Sequence, residues 1–270
     1  MTSSLRAQLD LDGRVAVITG SANILGPEFA VALAEFGAAL ALVDINTEAC
    51  EQVAQELSKT YNANVQAYTI DVADEKAVAS LIDQVVTSFG HIDILINAAA
   101  NKPEGYFRPF AEYDLQDWNR VMDVNLTGMF LTSKHVVPHF TAQNRGNIIN
   151  IASIYGIVGP DPRVYEGSWY LDQQINTPAV YSASKGGVVS FTRYLATTLA
   201  PHNIRANCIT PGGIFSGQNE TFAKRYGDRV PMGRMGNREE LRGAALFLAS
   251  DASSYITGHN LVVDGGLSVW

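Results

Sequence analysis

Apolar residues in this chain are arranged in two ways. Short solid blocks occupy 14–19 (RVAVIT), 39–43, 65–70, 92–96, 147–151, 205–209 and 260–263. Blocks of this length, rich in Val and Ile, read as strands buried on both faces. Between them the apolar residues recur every three or four positions. That spacing predicts helices over 24–37, 47–60, 74–89, 115–143, 178–199 and 238–249. Gly37 and Gly90 stand where two of these helices should stop, and Thr47 is expected to cap one. The stretch 115–143 is expected in one piece or two.

Strand and helix alternate along almost the whole chain. This order predicts an α/β fold, a doubly wound parallel sheet of about seven strands with helices on both faces, in a single domain. Such sheets bind ligands in the crevice beyond the carboxyl ends of their strands. The informative positions are therefore 20–26, Asp44, Asp71, Asn97, Ser153 and Pro211.

Composition narrows the partners. The 270 residues are 47% hydrophobic and 17% charged, and 19 basic against 27 acidic residues give a net charge of −8. No basic cluster stands out, so neither a nucleic acid nor an anionic membrane is an expected partner. No apolar run is long enough to span a bilayer, and 1–12 lacks an apolar signal core. Cys50 and Cys208 lie far apart, with no metal or disulfide spacing. They read as reduced thiols of a cytoplasmic protein, and no metal site is expected.

The loop after the first strand, TGSANILG over 19–26, suits phosphate chemistry. Gly20 and Gly26 let backbone approach a pyrophosphate, and the N-terminus of the following helix favours its charge. Asn23 tolerates the positive φ that a further glycine would otherwise supply. Asp44, at the end of the second strand, is placed to accept hydrogen bonds from an adenosine ribose and to repel a 2′-phosphate. No Arg or Lys lies in the loop or next to Asp44, so the expected cofactor is NAD rather than NADP. Tyr181 and Lys185 are four apart in the 178–199 helix and share a face. An ammonium beside a phenol favours phenolate and lowers its pKa, which makes an acid/base for an alcohol or carbonyl oxygen.

Together, from 14 to 266, these motifs resemble the short-chain dehydrogenase/reductase family. TGSANILG is similar to its cofactor loop, which implies contacts from Gly20, Asn23, Ile24, Leu25 and Gly26, although Ile24 replaces a usual glycine. Asp44 with Ile45, and Asp71 with Val72, are similar to its adenosine contacts. Asn97, Ala98 and Ala99 stand in its Asn-Asn-Ala-Gly turn, with Ala100 in the place of the glycine. Pro211, Gly212, Ile214 and Ser216 resemble its loop over the nicotinamide, with Ser216 in the place of the usual Thr. Asp264-Gly265-Gly266 resembles its C-terminal signature.

The resemblance implies a Rossmann-like domain and a tetrad of Asn125, Ser153, Tyr181 and Lys185. Tyr181 would be the general acid/base. Lys185 would lower its pKa and bond the nicotinamide ribose, Ser153 would hold the reacting oxygen, and Asn125 would hold a water linking Lys185 to solvent. A homotetramer or homodimer is also implied, with the apolar end 267–270 buried between subunits.

Two stretches belong to this chain in particular. The segment 154–180 is about twice as long as its counterpart in most family members. It carries Tyr155, Tyr165, Trp169 and Tyr170 among Asp161, Arg163, Glu166, Asp172, Gln173 and Gln174. It reads either as a surface for a sugar or other polyol or as a rim packed on a neighbouring subunit. Ser153, Tyr155, Tyr165, Trp169, Gly213 and Phe215 are the expected substrate contacts. A weaker resemblance, in SIYG, YEG and PGGIF, is to short-chain enzymes of bacterial surface-glycan and flagellin-glycan clusters. The segment 216–234 is a candidate lid, whose Arg225, Arg229 and Arg234 either are solvated or pair with acids, or meet a phosphate or carboxylate of the substrate. The expected function is hydride transfer between NAD and a small secondary alcohol or ketone, a sugar or polyol. The alternatives are an apolar alcohol of steroid or hydroxyacyl type, and a non-catalytic dinucleotide-binding scaffold or sensor.

Overall fold

The computed structural model describes residues 4–170 and 173–270; Asp172, counted above among the polar residues of the long segment, lies outside the described residues. Five strands precede the long segment: β1 Val15–Thr19, β2 Ala39–Asp44, β3 Val65–Thr69, β4 Ile94–Asn97 and β5 Gly146–Ile151. A small antiparallel pair, β6 Trp169–Tyr170 and β7 Gln173–Gln174, lies within it. Strands β8 Ile204–Pro211 and β9 Asn260–Val263 follow. The main sheet is parallel, in the order β3-β2-β1-β4-β5-β8-β9. The strand order therefore reverses between β1 and β4, which opens a crevice at their carboxyl ends.

The helices are α1 Leu5–Leu9, α2 Gly26–Glu35, α3 Thr47–Tyr61, α4 Glu75–Phe89, α5 Leu115–Met122, α6 Gly128–Ala142, α7 Ala179–Leu199, α8 Glu220–Gly227 and α9 Arg242–Ala249. The cap of α3 is Asn46, not Thr47: the Asn46 backbone is extended, and its side chain accepts from Ala49 N at 3.1 Å. Thr47 lies inside the helix and pairs with Thr69 instead. The stretch 115–143 does come in two pieces, joined by a π-helical turn over Asp123–Thr127. The stretch 238–249 begins as a 3₁₀ turn, Arg238–Leu241, before α9.

Strand side chains alternate between two cores, as a pleated sheet covered on both faces requires. Ala16 and Ile18 of β1 pack among Leu33 of α2, Leu57 of α3 and Leu248 of α9. Val15 and Val17 pack on the other face among Ile82 of α4, Phe140 of α6 and Leu195 of α7.

One polar thread runs through the middle of this apolar structure. Thr132 of α6 donates to Asn97 Oδ1 at 2.7 Å, and Asn97 Nδ2 donates to Asn150 Oδ1 at 2.9 Å. Asn150 Nδ2 donates to Thr192 of α7 at 3.0 Å, and Thr192 donates to the Val188 carbonyl at 2.8 Å. All four side chains are buried, so each depends on its neighbours for hydrogen bonds that water cannot replace. Asn97, expected at the cofactor, is thus committed to the core: the sheet alternation turns its side chain inward.

Asn150→Ala should leave the Asn97 amide and the Thr192 hydroxyl each short of a partner and cost about 3 kcal/mol. Urea unfolding followed by circular dichroism measures this, and a cost under about 1 kcal/mol would show that the thread does not bind the layers together.

Candidate functional site

A cleft of about 750 Å³ opens at the carboxyl ends of the central strands. Ala22, Asn23, Ile24 and Leu25 after β1, Ala98 after β4, Ser153 after β5, and Pro211 with Gly212 at and after the end of β8 line it. Tyr181 and Lys185 of α7 form its floor, and Gly213, Ile214 and Ser216 continue along one side.

The loop after β1 is a close-packed cradle. Gly20 has φ +67°, and a Cβ there would lie 2.7 Å from Ala99 Cα. A Cβ on Gly26 would collide with the Gly20 carbonyl. Side chains are therefore excluded where a phosphate-bearing group would have to approach backbone, and the residues present fit a dinucleotide. Asn23 does not supply a positive φ: Asn62, Asn144 and Asn203 do, but Asn23 is not among them. It works through its side chain instead. Its Oδ1 accepts from Leu25 N at 2.9 Å and Gly26 N at 2.8 Å, while its Nδ2 donates to the Ala98 carbonyl at 2.8 Å. One amide thereby organises the start of α2 and ties the β1 and β4 loops together.

Asp44 ends β2 and is held by backbone: Oδ2 accepts from Ala22 N at 2.9 Å and Oδ1 from Asn46 N at 3.0 Å. Its carboxylate is fixed beside the loop with lone pairs left over. Ile45 is 68% exposed next to it. Asp71 is exposed and turns the chain by accepting from Ala73 N, while Val72 is buried against Gly128.

The four expected catalytic residues converge. Ser153 caps the 3₁₀ turn Ile154–Gly156 by accepting from Tyr155 N at 3.3 Å. Its hydroxyl also lies near enough to the Tyr181 phenol to favour the phenolate. Lys185 is 3% exposed; its Nζ donates to the Ile151 carbonyl at 2.7 Å and lies 5.9 Å from the Tyr181 ring centroid. Burial pushes Lys185 down to about 8. Burial also pushes Tyr181 up from its ordinary value, and the nearby Ser153 hydroxyl only partly offsets this. The direction is opposite to the lowering expected from Lys185, because desolvation of the phenol outweighs the other influences. Asn125 sits in the π-helical turn, fully buried, where its Oδ1 accepts from Asn101 N at 2.9 Å. Its Nδ2 reaches Ser184, the neighbour of Lys185, at 3.5 Å.

The long segment folds over the cleft rather than away from it. Ile154, Val164, Tyr165 and Ile175 share a small core with Phe222, Tyr226 and Val230 of the 216–234 segment. Arg229 and Arg163 pair with Asp161, Arg225 donates to the Glu166 carbonyl, and Arg234 pairs with Glu240. The three arginines of the 216–234 segment are thus occupied by acids and backbone of the same chain. Of the expected substrate residues, Ser153, Tyr155, Tyr165 and Gly213 line the cleft, and Trp169 and Phe215 do not. In each case the neighbour faces the cleft: Tyr170 of β6 and Ile214 of the extended stretch after β8 point in, and Trp169 and Phe215 next to them are 51% and 49% exposed. Lys102, Tyr106, Asn176, Thr177 and Tyr226 line the cleft without having been singled out. Only Tyr226 had a usable signal: it lies four residues after Phe222, in a helix that Asn219 caps.

A model of the family described as enoyl-(acyl carrier protein) reductase matches residues 20–268. The 3-oxoacyl-[acyl-carrier-protein] reductase of Thermotoga maritima is 34% identical over 263 residues, 96% of this chain and 99% of that protein. The chain belongs to the short-chain dehydrogenase/reductase family. Among solved structures, NAD+-bound xylitol dehydrogenase superposes with a TM-score of 0.84 at 34% identity, covering 95% of this chain and 99% of the other. A gluconate 5-dehydrogenase from Burkholderia cenocepacia, in complex with NADP and tartrate, does so with 0.87 at 33%, covering 99% and 100%. This dehydrogenase/reductase therefore belongs with oxidoreductases of alcohols and ketones that bind a nicotinamide dinucleotide.

Asn23 offers a clean test of how the cradle is built. If its side chain is what matters, Asn23→Gly should weaken NADH binding as much as Asn23→Ala, each by roughly tenfold, with about 1–3 kcal/mol lost in stability. Fluorescence titration and thermal melts measure both. A fully active Asn23→Gly would return the role to backbone conformation.

Proposed function

We propose that this chain transfers hydride between NAD(H) and a secondary alcohol or ketone of a sugar- or polyol-like substrate, with Tyr181 as general acid/base. The observation that carries this is the Tyr181 phenol, with Ser153 and Lys185 beside it, on the floor of a cleft that also takes in the 22–25 loop. A bound nicotinamide supplies the hydride acceptor or donor. In oxidation, Ser153 and Tyr181 hold the substrate hydroxyl, and the Tyr181 phenolate takes its proton. In reduction the phenol returns that proton, while the Ser153 hydroxyl stabilises charge on the carbonyl oxygen. Lys185 would favour the phenolate and bond the nicotinamide ribose, and Asn125 holds the loop after β4 and α7 in register around it.

Asp44 supports NAD, since a fixed carboxylate accepts from ribose hydroxyls and repels a 2′-phosphate. The hydroxyl-rich wall supports a polyol: Thr177 donates to the Tyr165 hydroxyl at 2.5 Å, and Tyr165 to the Tyr155 hydroxyl at 2.6 Å. The xylitol and gluconate dehydrogenases among the structural neighbours support the same class. A second reading, reduction of a 3-oxoacyl thioester, is favoured by the Thermotoga maritima relative. We also infer a cytoplasmic homotetramer, which would cover Phe130 of α6, Tyr194 of α7 and the C-terminal Val269 and Trp270, all exposed in the single chain.

Three measurements test this. NADH should bind at least tenfold tighter than NADPH, and Asp44→Ala should erase most of that preference; tighter NADPH binding by the wild type would remove the role of Asp44. In a screen of polyols, sugars, hydroxy acids and a 3-oxoacyl thioester, Tyr181→Phe should lower kcat by at least about a hundredfold on whichever compound reacts. Turnover of the thioester alone would favour the second reading. The raised Tyr181 pKa places its phenolate on the alkaline side. Oxidation should accordingly quicken as pH rises above neutral, while reduction slows. Lys185→Met should move that limb to higher pH, and an unmoved limb would exclude Lys185 from tuning Tyr181.

A further inference from the structure

Among the described residues, no acid lines the cleft of this acidic chain. Among its described lining residues the charged ones are Lys102, Lys185 and Arg238, in a protein whose net charge is −8. Two of the three are accounted for. Lys185 is buried and donates to the Ile151 carbonyl. Arg238 is flanked at 3.6 Å by both Glu28 and Glu239, and Glu28 lies in the first turn of α2, at the cofactor end of the cleft.

Lys102 remains. It stands on the loop after β4, exposed at the mouth. Its Nζ lies over the ring of Tyr170, 5.6 Å from the centroid. No carboxylate among the described residues pairs with it. Tyr170 is itself placed: β6 turns it toward the cleft, and its hydroxyl reaches Ser216 Oγ at 3.5 Å. An ammonium braced on an aromatic face is positioned without using up its N–H donors. With no acid among the described residues of the cleft walls to compete, its field acts on whatever enters.

We propose that Lys102, braced on Tyr170, binds a carboxylate of the substrate, so that the substrate is a polyhydroxy acid rather than a neutral polyol. This deepens the reading given under Proposed function and rests on it. The acid is held at the mouth by its carboxylate and oxidised at a secondary hydroxyl further in. The carbinol C–H bond breaks with hydride passing to NAD+, the O–H proton goes to Tyr181, and a keto acid and NADH are formed. The linked tyrosine and threonine hydroxyls along the same wall would meet the hydroxyls between the two ends.

The test compares an aldonate with the alditol of the same carbon chain, at saturating cofactor, in the wild type, Lys102→Met and Lys102→Arg. The wild type should show a KM for the aldonate roughly tenfold below that for the alditol, the worth of one partly exposed charge-assisted hydrogen bond. Lys102→Met should remove that difference, acting on KM far more than on kcat, and Lys102→Arg should restore most of it. Added salt should raise the aldonate KM more than the alditol KM. The proposal is overturned if the alditol is the better substrate of the wild type, if Lys102→Met raises both KM values alike, or if it weakens NADH binding by the same factor. If neither compound turns over, the dehydrogenase reading fails for this substrate class, and calorimetric titration of the aldonate into the NADH-loaded protein decides the binding claim. Aldonate binding lost in Lys102→Met upholds the site; no aldonate binding, or tighter binding of a polyol phosphate, sinks it.

Discussion

Two helices are held against the middle of the sheet by a chain of uncharged side chains, Thr132 to Asn97 to Asn150 to Thr192. Apolar packing alone would let α7 slide or turn a little, because hydrophobic contact has no direction. Hydrogen bonds in a dry core have both direction and length, and a broken one is costly where water cannot replace it. The helix so fixed carries Tyr181 and Lys185 one and two turns from its start. Lys185 is pinned a second time by the Ile151 carbonyl at the end of β5. The positions of the phenol and the ammonium thus follow from contacts that no ligand makes.

Around that fixed floor the cleft has walls of different origin. The side after β1 and β2 is backbone: a glycine turn, one asparagine that organises it, and a carboxylate anchored by two amides. The substrate side is a second small core, built where the long segment meets the 216–234 segment. Gly213 belongs to both. Its missing side chain leaves room for the Tyr226 ring, whose hydroxyl accepts from Gly213 N. Any change that shifts α8 is therefore transmitted to the stretch after β8 that lines the cleft.

Much of this was legible from residue order. Solid apolar blocks located the seven strands of the main sheet to within two residues at each end, since a strand buried on both faces admits few polar residues. The strand ends then led to Asp44, Ser153 and the 20–26 loop, and helical spacing placed Tyr181 beside Lys185. Where the reading went astray, tertiary partners were the cause. Asn97 and Asn23 are chemically able to do what was expected of them, but each has neighbours that take its side chain for another purpose. Trp169 and Phe215 lie in the right segments on the wrong face, because a two-residue strand and an irregular extended stretch carry no alternation long enough to show which side is in.

By itself, the sequence determined the fold class, the end of the sheet at which the cleft opens and the pairing of Tyr181 with Lys185 on one helix face. Those depend on local periodicity and on residue types that have few other uses at strand ends. Only the tertiary structure decided the direction of the Tyr181 pKa shift, the occupation of the arginines of the 216–234 segment and the isolation of Lys102 over Tyr170. Each of those is a sum over groups far apart in the chain, and burial and pairing have no magnitude until those groups are brought together.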